Sequence, residues 1–123
     1  MKYYLEINEQ GHILSIRDVM IEATNFTIVP VDSDYLLYEF INEINSMKTD
    51  TNFKLKVLRS MRDKKLLESD SLYIEAETKN IKVQDVKSYK QALRDLPDNV
   101  NIENTSLENL ITLFPIPPNL LSD

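Results

Sequence analysis

Residues 53–76 read FKLKVLRSMRDKKLLESDSLYIEA, and the period assigned to them decides how much of the chain is sheet. Phe53, Leu55 and Val57 alternate with Lys54 and Lys56, the pattern of a half-buried strand. Leu58 to Glu68 reads either as a short helix or as the far side of a hairpin turning at Arg62-Asp63-Lys64-Lys65. The hairpin is the preferred reading, and Leu72, Ile74 and Ala76 read as another strand.

Upstream, the opening residues read as a β-hairpin. Tyr3, Leu5 and Ile7 alternate with Tyr4 and Glu6, and apolar residues resume at Ile13, Leu14 and Ile16. Gly11, the only glycine, supplies the positive φ of the turn. Asp18 to Thr24 has weak helical spacing. Phe26-Thr27-Ile28-Val29 reads as a short strand ended by Pro30. A helix is expected from Asp32 to about Lys48, capped by Asp32 or Ser33, with Leu37, Phe40, Ile41, Ile44 and Met47 on one face.

Downstream, Val86, Tyr89, Leu93 and Leu96 recur at spacings of three, four and three, which predicts a helix over Lys82–Leu96 stopped by Pro97. Thr105 and Glu108 fit a capping box for a brief turn of helix through Leu110 or Ile111. Phe114-Pro115-Ile116-Pro117-Pro118 is held extended by its prolines, and such an apolar strip packs along a groove on this chain or on another. The fold class is therefore α+β: an N-terminal hairpin and short strands packed with one long helix, then a second helix and an extended Pro-rich segment. Residues 1–80 form the α+β core and 81–123 the helix plus tail. The seam near residue 80 is shallow enough for one cooperative unit.

Composition narrows the chemistry. Among 123 residues there is one His and no Cys or Trp. Thiolate catalysis, disulfides and Cys-based zinc sites are excluded, and one His supplies no multi-His metal site. His12 beside a hairpin turn reads as an exposed imidazole without the orienting partner a general base needs. Asp32 with Asp34 reads as a helix start and Glu75 with Glu77 as the wet face of a strand, neither in a calcium-loop frame. No catalytic group, cofactor or metal is expected, and the chain reads as a non-enzyme. There is no signal-peptide pattern and no membrane-spanning stretch.

The net charge of −6 conceals a pattern. Residues 1–47 carry two basic and eight acidic side chains, residues 48–94 twelve and seven, and residues 95–123 none and five. A basic centre between acidic ends suits solvation or an acidic protein partner better than nucleic acid. The tyrosines and phenylalanines of the hairpin and the Asp32–Lys48 helix lie at core spacing, so base stacking is not expected either. On the Lys82–Leu96 helix a basic flank of Lys82, Lys87, Lys90 and Arg94 runs beside the apolar stripe. Asp95 in its last turn opposes the helix dipole, which suggests a hydrogen-bonding task such as holding Arg94 or the following loop.

Tyr89-Lys90-Gln91-Ala92-Leu93-Arg94-Asp95-Leu96-Pro97, followed by Phe114-Pro115-Ile116-Pro117, resembles the C-terminal signature of the tail-fibre assembly proteins of tailed bacteriophages. That family has a helix reading roughly Trp-x-x-Tyr-Arg-x-x-Leu-Arg-Asp and ends near Trp-Pro-x-x-Pro. Here Val86 stands at the first Trp, Lys90 at the Arg and Phe114 at the second Trp. The resemblance implies a small chaperone that binds a phage tail-fibre or receptor-binding protein and promotes its folding and trimerisation in the host cytoplasm. Some family members stay on the virion tail, so a structural tail or baseplate component is the alternative. Carried over to this sequence, the implied partner-binding residues are Tyr89, Lys90, Leu93, Arg94, Asp95, Phe114, Pro115 and Pro117. Nucleic acid and membrane are not implied partners; a homo-oligomer is compatible.

Overall fold

The computed structural model describes residues 1–22 and 24–121. The order is β1 (Lys2–Ile7), β2 (Ile13–Arg17), β3 (Thr27–Asp32), α1 (Leu37–Met47), α2 (Thr51–Lys79), α3 (Val83–Asp95), a 3-10 turn over Leu96–Asp98 and α4 (Leu107–Ile111). The architecture is α+β, with one three-stranded antiparallel sheet in the order β2-β1-β3.

The opening hairpin forms as its alternation predicts. Tyr3, Leu5 and Ile7 point inward with Val29 and Val31, and all five are buried. Asn8 builds the turn: its Oδ1 accepts the amides of Gln10 at 3.0 Å and His12 at 2.9 Å, and its carbonyl accepts that of Gly11. Gly11 has φ +86°, and a Cβ there would sit 2.5 Å from Ile111 Cδ1, so the turn also packs under α4. A register shift between Glu6 and Ile7 leaves Leu14 as the extra residue of a bulge. From Asp18 to Thr24 no helix forms among the described residues; Ala23 lies outside them. The link between β2 and β3 must cross β1, and Thr24 pins it by donating to Glu6 at 2.5 Å.

Pro30 does not end its strand. β3 continues to Asp32 in register with Lys2, and Pro30 lies opposite Tyr4. A proline has no amide hydrogen, so Tyr4 and Pro30 form a non-bonded pair and the missing donor faces the free edge of the sheet, where it costs no ladder bond. The longer strand in turn delays the helix. Asp32 belongs to β3, Ser33 Oγ accepts the Tyr35 amide at 3.1 Å in a turn, and α1 starts only at Leu37, where the Glu39 carboxylate accepts the Leu36 amide. The expected caps at Asp32 and Ser33 are thus corrected. Of the expected face, Phe40 and Ile44 are buried, Leu37 and Met47 half-buried, and Ile41 is exposed.

The largest correction concerns residues 53–76. There are no strands and no hairpin at Arg62–Lys65; the whole stretch lies in α2, 29 residues long. Nothing in it breaks a helix: it has neither Gly nor Pro, and the presumed turn lacks the glycine that a tight hairpin most often uses. Asp50 caps the start, its carboxylate accepting the amides of Asn52 at 2.7 Å and Phe53 at 3.4 Å. Asn80 ends it in the left-handed conformation, φ 53°. Phe53, Val57 and Met61, spaced by four, pack on the sheet. Glu75 and Glu77 are accordingly helical, Glu75 pairing with Lys79 at 2.7 Å.

α3 folds back on α2 through Ala76 and Val86, and Pro97 closes its end as expected. Below it Leu58, Leu96 and Leu110 form a second buried group with Val100, Ile102 and Phe114 around it. Lys54 is buried there and donates to the Ile102 carbonyl at 3.4 Å. α4 is capped by Ser106, whose Oγ accepts the Asn109 amide, one residue later than the capping box at Thr105 and Glu108 would place it.

Two outcomes follow from this packing. Gly11→Ala combines a positive φ with a clash against Ile111, and should lower stability by about 1–2 kcal/mol, read by urea unfolding. Tyr3 stacks on Phe40 with ring centroids 4.6 Å apart and donates to the Tyr35 carbonyl at 2.5 Å. Burial first, then the carboxylates of Asp18 and Glu39, raise its phenol above the ordinary value. As pH rises past about 10 the unfolded phenol ionises first, so its stabilisation, complete below that pH, is lost as pH climbs through the raised folded value. Wild-type urea midpoints should therefore fall between pH 9 and 11 more than those of Tyr3→Phe.

Candidate functional site

The surface of interest is the helical hairpin α2–α3 with the C-terminal strip laid against it. Val86, Tyr89 and Leu93 are buried on the inner face of α3. Burial, then the Glu68 carboxylate, raises the Tyr89 phenol above its usual range. Lys90 leans back to α2, pairing with Asp70 at 2.8 Å and lying 5.3 Å from the Tyr73 ring centroid. The Tyr73 phenol is raised chiefly by its hydrogen bond to the Glu77 carboxylate. Arg94 and Asp95 are exposed, and Asp95 accepts from Gln91 Nε2 at 2.9 Å, one turn back on its own helix.

The strip beyond α4 packs on its own chain. Phe114 is half-buried against the inner core, with Lys65 Nζ 5.3 Å from its ring centroid. Leu120 is buried with Ala76 and Val86, beside Leu72, Tyr73 and Val83. Lys82 Nζ donates to the Asn119 carbonyl at 2.6 Å. Anchored at both ends, the strip runs along the hairpin with Pro115 and Pro118 half-buried and Pro117 exposed. Ile116 between them is 89% exposed and Leu121 87%.

The residues inferred from sequence therefore divide. Tyr89 and Leu93 hold α3 to α2, Lys90 ties the two helices, and Phe114 roots the strip; Arg94, Asp95 and Pro117 face solvent, with Pro115 between the two. Leu120, the second anchor, was missed, as a leucine pair just after a proline run carries no period. Leu67 and Ile74 were missed as a surface feature because residues 53–76 read as strands.

Among the described residues no group of His, Cys, Asp and Glu is placed to hold a metal, and no helix is long and apolar enough to cross a membrane. His12 is exposed. An arrangement of packed helices with an apolar strip on its surface is suited to holding another chain. Residues 55–106 match the family of phage tail assembly chaperone proteins. That segment runs from the first turns of α2 through α3 to the cap of α4, so the tail assembly chaperone match covers the helical hairpin and the loop closing its base. It supports a chaperone role in tail assembly, with a phage tail protein as partner, and such a role needs no catalytic group. No curated protein and no solved structure matches the chain.

If the chain itself is the groove for the strip, the anchors carry stability. Phe114→Ala and Leu120→Ala should each cost about 2–3 kcal/mol by urea unfolding, whereas Pro117→Ala should change it by less than about 0.5 kcal/mol.

Proposed function

We propose that the tail protein this chaperone serves is a fibre or receptor-binding protein, which it binds during folding and trimerisation in the host cytoplasm. The observation that carries the chaperone role is the family match over the α2–α3 hairpin. The motif on α3 and the Phe-Pro-Ile-Pro strip, which resemble those of tail-fibre assembly proteins, favour the fibre as client. Fibre trimers are intertwined β-structures whose long-range contacts form slowly and leave sticky edges exposed meanwhile. Covering such edges takes apolar side chains displayed on a rigid support and charged residues around them.

This chain displays that combination. The buried half of the motif fixes α3 in place, and the strip is held at Phe114 and Leu120, so Ile116 and Pro117 are presented on a pre-ordered backbone. Pre-ordering lowers the entropy lost on binding. In this reading Ile116, Pro117, Arg94 and Asp95 touch the client, while Tyr89, Leu93 and Phe114 act by holding them.

Co-expression with the neighbouring fibre gene tests the proposal. Soluble trimeric fibre should appear with the chain and fall at least several-fold without it. Ile116→Asp should reduce the yield while leaving the chaperone's own melting temperature unchanged. Equal yields of trimer with and without the chain would overturn the reading. Stoichiometric amounts in purified virions, with no effect on fibre yield, would instead identify a structural tail component.

A further inference from the structure

We propose that two copies of this chain associate antiparallel through the outer face of α2. Leu67 is 72% exposed and Ile74 65%, although both are large aliphatics in the middle of a long helix. They are seven residues apart and so share one face. Neither Leu67 nor Ile74 belongs to any of the three buried groups on the inner sides of α2.

The other end of the same helix carries the complement. A cleft of about 550 Å³ has an apolar floor of Met47, Phe53 and Leu55, with Ser60, Lys56 and Arg59 along α2 and the polar side chains of Asp50, Asn52 and Asp63 around it. Lys56 and Arg59 are exposed and have no acidic partner among the described residues. The carboxylates beside them are engaged: Asp50 caps α2 and Asp63 binds Arg62 at 2.9 Å. In the C-terminal half of α2 the charge is reversed, with Glu68, Asp70, Glu75 and Glu77 against Lys79. Glu68, Asp70 and Glu75 are paired with Lys64, Lys90 and Lys79, while Glu77 is exposed and makes no ion pair among the described residues.

Knob and cleft, cation and carboxylate, therefore lie at opposite ends of one face, the arrangement that a two-fold axis makes self-complementary. With the axis at Leu67, Ile74 of each copy lies opposite Ser60 of the other, a residue of the cleft. Glu77 then falls opposite position 57, between Lys56 and Arg59. A parallel pairing would set cations on cations and leave both clefts empty. This inference is independent of which tail protein is the client.

The chain contains no cysteine, so single introduced thiols report the geometry directly. In sedimentation equilibrium at about 50 μM the wild type should run at twice its 14.3 kDa mass. The double variant Leu67→Asp, Ile74→Asp should run as a monomer with unchanged helicity. Oxidised Leu67→Cys should form a covalent dimer and Lys56→Cys should not. Lys56→Glu with Arg59→Glu, and separately Glu77→Lys, should each weaken self-association at least tenfold, and mixing the two variants should restore a dimer. A monomeric wild type, a dimer that survives Leu67→Asp, Ile74→Asp, or cross-linking through Lys56→Cys in place of Leu67→Cys would overturn the proposal. So would a monomer whose double variant loses tail-protein binding, which would assign the face to the client.

Discussion

A single length mismatch governs this molecule. α2 has 29 residues and is about 43 Å long at 1.5 Å per residue, while strands of six residues span about 20 Å. The sheet can therefore cover only the first half of the helix, through Phe53, Val57 and Met61. The second half would be bare without another cover, and α3 with the C-terminal strip provides it through Val86 and Leu120. Within the first half, Leu96 and Leu110 close around Leu58, beside the sheet-facing Val57. The N-terminal sheet and the C-terminal elements thus pack on one continuous helix.

That division explains what the sequence disclosed. Elements with one wet side and one dry side were legible. The β1–β2 hairpin alternates cleanly, Gly11 marks its turn, and α3 shows its stripe because it is covered on one side only. α2 has no constant dry side. Its apolar residues turn from the sheet toward α3 and the strip along its length, and Leu67 and Ile74 add an apolar mark on the side facing water. Five residues of accidental alternation at Phe53–Val57 then outweighed the absence of any helix breaker from Thr51 to Lys79. Pro30 misled for a related reason: a proline stops a central strand, but β3 is an edge strand. The caps at Asp32 and Thr105 failed by small offsets that depend on how far the preceding segment runs.

The residues singled out around α3 and the C-terminal strip turn out to be mainly packing residues. The α3 motif and the Phe-Pro-Ile-Pro strip do meet the same helix, yet their most distinctive side chains, Tyr89, Leu93 and Phe114, are spent largely on holding the chain together. Buried residues leave the strongest pattern in a sequence because packing constrains them on every side. Exposed groups such as Ile116 and Arg94 are not packed within the chain and so leave no period to read.

Pro30 has a bearing beyond its own strand. With its non-bonding side outward, it removes a donor from the middle of the free edge of β3. Another extended chain arriving there cannot complete a ladder. One imino acid on the margin therefore keeps this small sheet from growing by edge-to-edge pairing.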